Sequence, residues 1–171
     1  NSYTFAPSDS NLASIIVRKT TVGGVGTFSF TGTNSYTSHT ITTTTAGTPA
    51  AALPQPLTPG ATTITEAAPP AGFSLTAIAC TGLGAGTATP TINGTSGGSV
   101  LLNAAATVPG NNIVCTFTNT RLPILRLQKS LPSGRFVAAD QFTLTIAGTG
   151  GPVSVTTTGT GAKGLGVILE F

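Results

Sequence analysis

The chain has little charge. Seven Lys+Arg and four Asp+Glu in 171 residues leave a formal net charge of +3 and a pI near 9.2, a surplus too small to argue for an acidic partner. Arg121, Arg126, Lys129 and Arg135 do fall close together, but the residues between them are aliphatic (Leu122, Ile124, Leu125, Leu127) and no aromatic is interleaved. No nucleic acid is expected as a partner, and the stretch reads better as an interdomain strand. With one histidine and two cysteines the chain cannot assemble a metal cluster from the usual soft ligands. The scarcity of acids and histidines also argues against an enzyme, and His39, in a Thr-rich stretch with no serine elbow, is expected to be an exposed strand residue. No cofactor is expected. Long apolar runs are absent too. None approaches the roughly 18 residues of a membrane helix, so no membrane insertion is expected. Residue 1 does not open a charged segment followed by an apolar one, so the chain reads as a mature protein or an expressed segment.

What is present points to β structure. Twenty-two glycines, twelve prolines and long Thr-rich stretches, with no apolar repeat at helical spacing, describe short strands joined by turns. The 39% hydrophobic content, arranged in alternation, argues for a packed core over disorder. Seven strands are expected in the first part: Ala13 to Thr20, Thr27 to Thr33, Ser38 to Thr45, Thr62 to Ala67, Phe73 to Thr81, Ser99 to Leu102 and Ile113 to Thr120. Turn chemistry separates them, as in Val22-Gly23-Gly24-Val25-Gly26, Asn93-Gly94 and Pro109-Gly110-Asn111-Asn112. Asn93-Gly94-Thr95 also fits a glycosylation acceptor, but a hairpin turn is the plainer reading. Gly159 to Gly164 fits G-x-G-x-x-G without any βαβ context, so it reads as a glycine-rich turn.

After Thr120 the pattern starts again. Leu125-Arg126-Leu127-Gln128-Lys129 echoes Ile15 to Lys19, and Phe142 to Thr149 echoes Thr27 to Thr33. The expected organisation is a strand or repeat tail over residues 1–12, a seven-stranded all-β sandwich of immunoglobulin-like type over 13–121, and a partial second β repeat over 122–171. Val167 to Glu170 is a short candidate counterpart of Thr63 to Glu66.

The few charges now become informative. Lys19 is the only lysine in the first 128 residues, and Glu66 is the only acid between Asp9 and Asp140. Alternation places Lys19 on the face of Ile15 and Val17, Glu66 on the face of Ile64, and Asn119 on the face of Ile113, Cys115 and Phe117. An isolated buried charge costs several kcal/mol, so this amine and this carboxyl should be paired, neutralised or chemically joined. Cys80 and Cys115 both lie in strand-like stretches. They form either a disulfide, contributing about 3–4 kcal/mol and indicating an oxidising compartment, or two small buried thiols.

Val17-Arg18-Lys19-Thr20, the stretch Glu66-Ala67-Ala68-Pro69-Pro70-Ala71-Gly72-Phe73, and Thr116-Phe117-Thr118-Asn119-Thr120 together resemble the CnaB-type, or SpaA-like prealbumin-fold, domains of bacterial surface proteins and pili. The likeness covers roughly residues 13–121, and the E-x-x-P-x-G-[FY] box, here one residue longer, is its most specific part. The resemblance implies an intramolecular isopeptide bond between Lys19 and Asn119, with Glu66 as the proton shuttle in a single autocatalytic turnover. The alternative is a Lys19–Glu66 ion pair with Asn119 hydrogen-bonded to it. Function is expected to be structural: a repeat of a secreted or cell-surface bacterial adhesin or fibre, with neighbouring repeats or subunits as partners. Two other readings stand beside it. One is a self-assembling filament or pilus subunit completed by strand exchange, and the other is a module binding a host glycan or protein through loops near Thr33-Asn34-Ser35-Tyr36.

Overall fold

The computed structural model describes residues 12–127, 137, 140–147, 152–156 and 167–170. The expected strand over residues 1–12 lies outside them except for Leu12, as do Lys129 and the Gly159 to Gly164 turn. The chain divides into two compact units, Asn1–Arg121 and Leu122–Phe171. Every regular element among the described residues is a strand.

In the first unit ten strands form two sheets. They are β1 (Ala13–Val22), β2 (Thr27–Gly32), β3 (His39–Thr42), β4 (Ala50–Ala51), β5 (Gln55–Leu57), β6 (Thr62–Glu66), β7 (Phe73–Thr81), β8 (Ala88–Ile92), β9 (Gly98–Leu102) and β10 (Asn112–Arg121). One sheet runs β4-β1-β10-β7, with β5 continuing the β4 edge along β1, and the other runs β3-β2-β6-β9-β8. All seven expected strands are present. β4, β5 and β8 are additions that alternation does not announce: each is an edge strand, β5 and β8 carry Pro56 and Pro90, and β8 buries no residue fully. A proline can sit there because an edge strand has one row of amides with no ladder to complete.

The sheets face each other across an apolar core. Ile15 and Val17 of β1, Phe28 and Phe30 of β2, Ile64 of β6, Val100 and Leu102 of β9, and Ile113 and Phe117 of β10 are all buried. Each side chain of this kind contributes about 1.5–3 kcal/mol on leaving water. The intervening residues, such as Thr27, Ser29 and Thr31, face out, which is the two-residue period of a half-buried strand. Phe28 meets Phe73, and Phe30 meets Phe117, edge to face at 5.6 and 5.1 Å.

The connection of first to last strand sets the architecture. β1 and β10 are parallel neighbours in continuous register, from Ser14 beside Asn112 to Val22 beside Thr120. The chain therefore enters the sandwich at one end of this strand pair and leaves at the other.

The second unit contains β11 (Ile124–Leu127), β12 (Thr143–Ile146), β13 (Val153–Thr156) and β14 (Val167–Glu170). β12 and β13 form an antiparallel pair with hydroxyl contacts Thr143–Thr156 and Thr145–Ser154, and β14 runs antiparallel to β11. That pairing corrects one expectation. β6, which carries Glu66, lies in the sheet opposite β1, whereas β14 hydrogen-bonds directly to the strand that echoes β1. Val167 to Glu170 is thus placed like β5, and Glu170 is not the counterpart of Glu66.

Candidate functional site

Three polar side chains meet inside the first sandwich. Ala13, Ile15, Val17, Lys19 and Thr21 are the buried positions of β1, so a strict two-residue period carries the lysine inward behind two aliphatic neighbours. On β10 the same period buries Ile113, Cys115, Phe117 and Asn119. Lys19 stands beside Phe117, and Asn119 stands beside Thr21, one inward position further along the pair. Glu66 comes from the opposite sheet, at the end of β6 between Phe30 of β2 and Gly98 of β9. Its carboxylate crosses the core to the other two.

The contacts close a ring. Lys19 Nζ donates to Glu66 Oε2 at 2.6 Å and also to Asn119 Oδ1, while Asn119 Nδ2 donates to Glu66 Oε1 at 2.7 Å. All three residues are 0–1% exposed. Lys19 Nζ lies 4.3 Å from the Phe28 ring centroid and 6.0 Å from that of Phe30, so the amine is roofed by aromatic faces rather than by water. Burial lowers the Lys19 pKa from 10.5 to about 8, against the hydrogen bond and the attraction of Glu66, which both raise it. The shift enlarges the minor fraction of neutral amine at neutral pH, and that amine is held against the Asn119 carboxamide.

Backbone packing fixes the carboxylate. Gly97 has φ +83, and a Cβ placed there would lie 2.3 Å from the Glu66 carbonyl oxygen. Only glycine lets the β8–β9 hairpin approach the end of β6 so closely. The hairpin itself turns at Asn93-Gly94 as expected, with Asn93 N–H donating to Gly97 O at 2.9 Å.

Cys80 and Cys115 are bonded to each other, joining directly opposed positions on β7 and β10. Cys115 is fully buried two inward positions before Asn119. His39 and Tyr36 differ from expectation. His39 is half-buried and stacks on Phe30 at 5.8 Å, and Tyr36, only 6% exposed, packs against His39. Tyr36 is therefore a core residue and offers no exposed ring to a glycan. Among the described residues no group of three or more His, Cys, Asp or Glu could hold a metal ion, and no helix is long and apolar enough to cross a membrane.

Sequence reasoning missed two parts of the site. The aromatic roof from β2 could have been suspected from Phe28 and Phe30, two apolar positions of one alternating strand. A bulge at Thr76, beside Asn119, announces itself only as a break in the alternation of β7, where Phe73, Leu75 and Ile78 are all buried.

Residues 15–121 match a SpaA-like family described as a prealbumin-like fold domain, and residues 124–167 match a second SpaA-like family of the same description. No curated protein and no solved structure matches the chain. SpaA-like domains are structural modules of surface proteins and pili. By the match over its first unit, which takes in Lys19, Glu66 and Asn119, the chain belongs to the SpaA-like prealbumin-fold domains.

Proposed function

We propose that the first unit is a load-bearing spacer of a secreted or cell-surface bacterial fibre, closed by an amide that Lys19 and Asn119 form between themselves. The observation that carries this reading is the Lys19–Glu66–Asn119 ring on parallel first and last strands. Parallel pairing puts entry and exit at opposite ends of a ten-residue strand pair, about 30 Å apart at about 3.3 Å per residue. Tension on the two ends slides β1 against β10 along all nine register pairs at once. A covalent link near the far end of that register stops the slide.

The chemistry balances without a cofactor. Lys19 ammonium passes a proton to Glu66 Oε2, and the neutral Nζ attacks Asn119 Cγ. Glu66, now protonated and hydrogen-bonded toward Asn119 Nδ2, returns a proton to that nitrogen as the tetrahedral centre collapses, and ammonia departs. The second proton of Nζ is lost to the same carboxylate or to the leaving ammonia. Nζ–Cγ forms, Cγ–Nδ2 breaks, and nothing is oxidised or reduced. The residues are consumed in one turnover, so the unit acts on itself and not on a substrate.

Intact mass tests this directly. The native chain is expected to be lighter than its sequence by one ammonia, after the two disulfide hydrogens are counted, and Lys19→Ala, Glu66→Ala and Asn119→Ala should each restore that ammonia. A native mass equal to the disulfide-corrected sequence mass refutes the bond and leaves a buried ion pair.

A further inference from the structure

β10 is held on both sides, by β1 and by β7, and its contact with β7 is irregular at one place. Val114 to Thr118 pair with Thr81 to Ala77, whereas Asn119 to Arg121 pair with Leu75 to Phe73. Thr76 is the extra residue, opposite the step from Thr118 to Asn119. Its Oγ1 donates to Thr118 O at 3.1 Å and lies 3.1 Å from Thr120 Oγ1, so the bulge is clamped to the residues on either side of Asn119.

The bulge also changes the phase of β7. Before it Phe73 and Leu75 face the core; after it Ile78 is buried and Cys80 packs against the core. Unbroken alternation from Leu75 would turn Cys80 outward, away from the inward-facing Cys115. The bulge and the Cys80–Cys115 bridge are therefore one device, and it ends at Asn119, about 13 Å from Cys115 along the strand. A one-residue slip of β10 would turn Asn119 out of the core. A two-residue slip would carry its amide about 7 Å along the strand from its place beside Lys19. The bridge forbids either slip of β10 against β7.

The bridge does not share the load. Once Lys19 and Asn119 are joined, both cysteines lie within the closed loop of residues 20–118, which end-to-end tension bypasses. Resting on the amide reading above, we infer that the Thr76 bulge and the Cys80–Cys115 bridge position Asn119 for attack by Lys19, so that amide formation is coupled to oxidation of the thiol pair. The two thiols give two electrons and two protons to an oxidant of the disulfide-exchange class, and the amide then forms.

The test uses full-length chain recovered unreacted in denaturant and refolded with oxidised glutathione or with a dithiol reductant. Ammonia loss is followed by intact mass and folding by near-ultraviolet circular dichroism. The oxidised chain is expected to react about tenfold or more faster than the reduced chain, or than Cys80→Ala/Cys115→Ala, at equal folded fraction. Thr76→Val, with the bridge intact, should slow the reaction several-fold, and Thr76→Ser should recover it. The pH midpoint of the rate should not move, because no titrating group is altered. Equal rates for oxidised and reduced folded chains overturn the proposal while leaving the amide. If the reduced chain does not fold, the Thr76→Val rate decides, slowed for the proposal and unchanged against it. Absence of ammonia loss even in the oxidised chain overturns the amide itself.

Discussion

Asn119→Ala blocks the amide and leaves Lys19 as an amine facing Glu66 inside the core. In that variant the folded chain holds the Lys19 proton with a pKa of about 8 and the unfolded chain with the ordinary 10.5. Below pH 8 both states are protonated. Between 8 and 10.5 the unfolded state binds the extra proton, so the free energy of unfolding rises with pH. From pH 7 to about pH 9.5 the rise spans roughly 1.5 pKa units, or about 2 kcal/mol at about 1.4 kcal/mol per unit. The upper limit matters because burial raises the pKa of Tyr36, so above about pH 10 the unfolded chain loses that phenolic proton first and stability falls again. In urea, with a slope of about 1–3 kcal/mol/M, the variant's midpoint should climb by about 1 M over this window. The native chain should not climb, since an amide nitrogen has no proton to lose there. A native chain that climbs as far as the variant contains a free Lys19 amine, which refutes the amide. A flat variant refutes the effect of burial on Lys19.

Three further outcomes are expected. Phe28→Ala removes the ring 4.3 Å from Lys19 Nζ; it should cost about 3–5 kcal/mol in denaturant titration. By admitting water it should also raise the Lys19 pKa and shift the pH midpoint of ammonia loss upward. Gly97→Ala puts a Cβ 2.3 Å from the Glu66 carbonyl at a positive φ, so it should destabilise the unit by at least about 1–2 kcal/mol and slow ammonia loss, read by thermal melt and intact mass. In single-molecule pulling on the ends of the first unit, the native chain should withhold residues 20–118, whereas Asn119→Ala, in which the Cys80–Cys115 bridge still withholds residues 81–114, should release about 220 Å more chain at about 3.4 Å per residue. Equal contour lengths would count against a link between these strands.

What the sequence made legible follows from where the two-residue period holds. β1, β6 and β10 keep it without interruption, so an inward Lys19, Glu66 and Asn119 can be read from their apolar neighbours, and a charge-poor chain makes two inward charges conspicuous. Alternation reports only which face a residue takes. That Glu66 arrives from the opposite sheet, and reaches both partners, depends on β6 pairing with β2 and β9, a long-range fact with no local signal. The edge strands β4, β5 and β8 escaped because an edge has one ladder and little buried surface, which weakens both the pattern and the exclusion of proline. β7 is the instructive case. Its span was readable to the residue, yet plain alternation from Phe73 puts Cys80 on the outside, and only the extra residue at Thr76 turns it toward Cys115. The local failure of the period therefore falls beside Asn119, where the strand must satisfy two partners at once: β7 through the cysteine bridge, and β1 through the amide face. A sequence rule that breaks next to a candidate reacting group is what a positioning device produces.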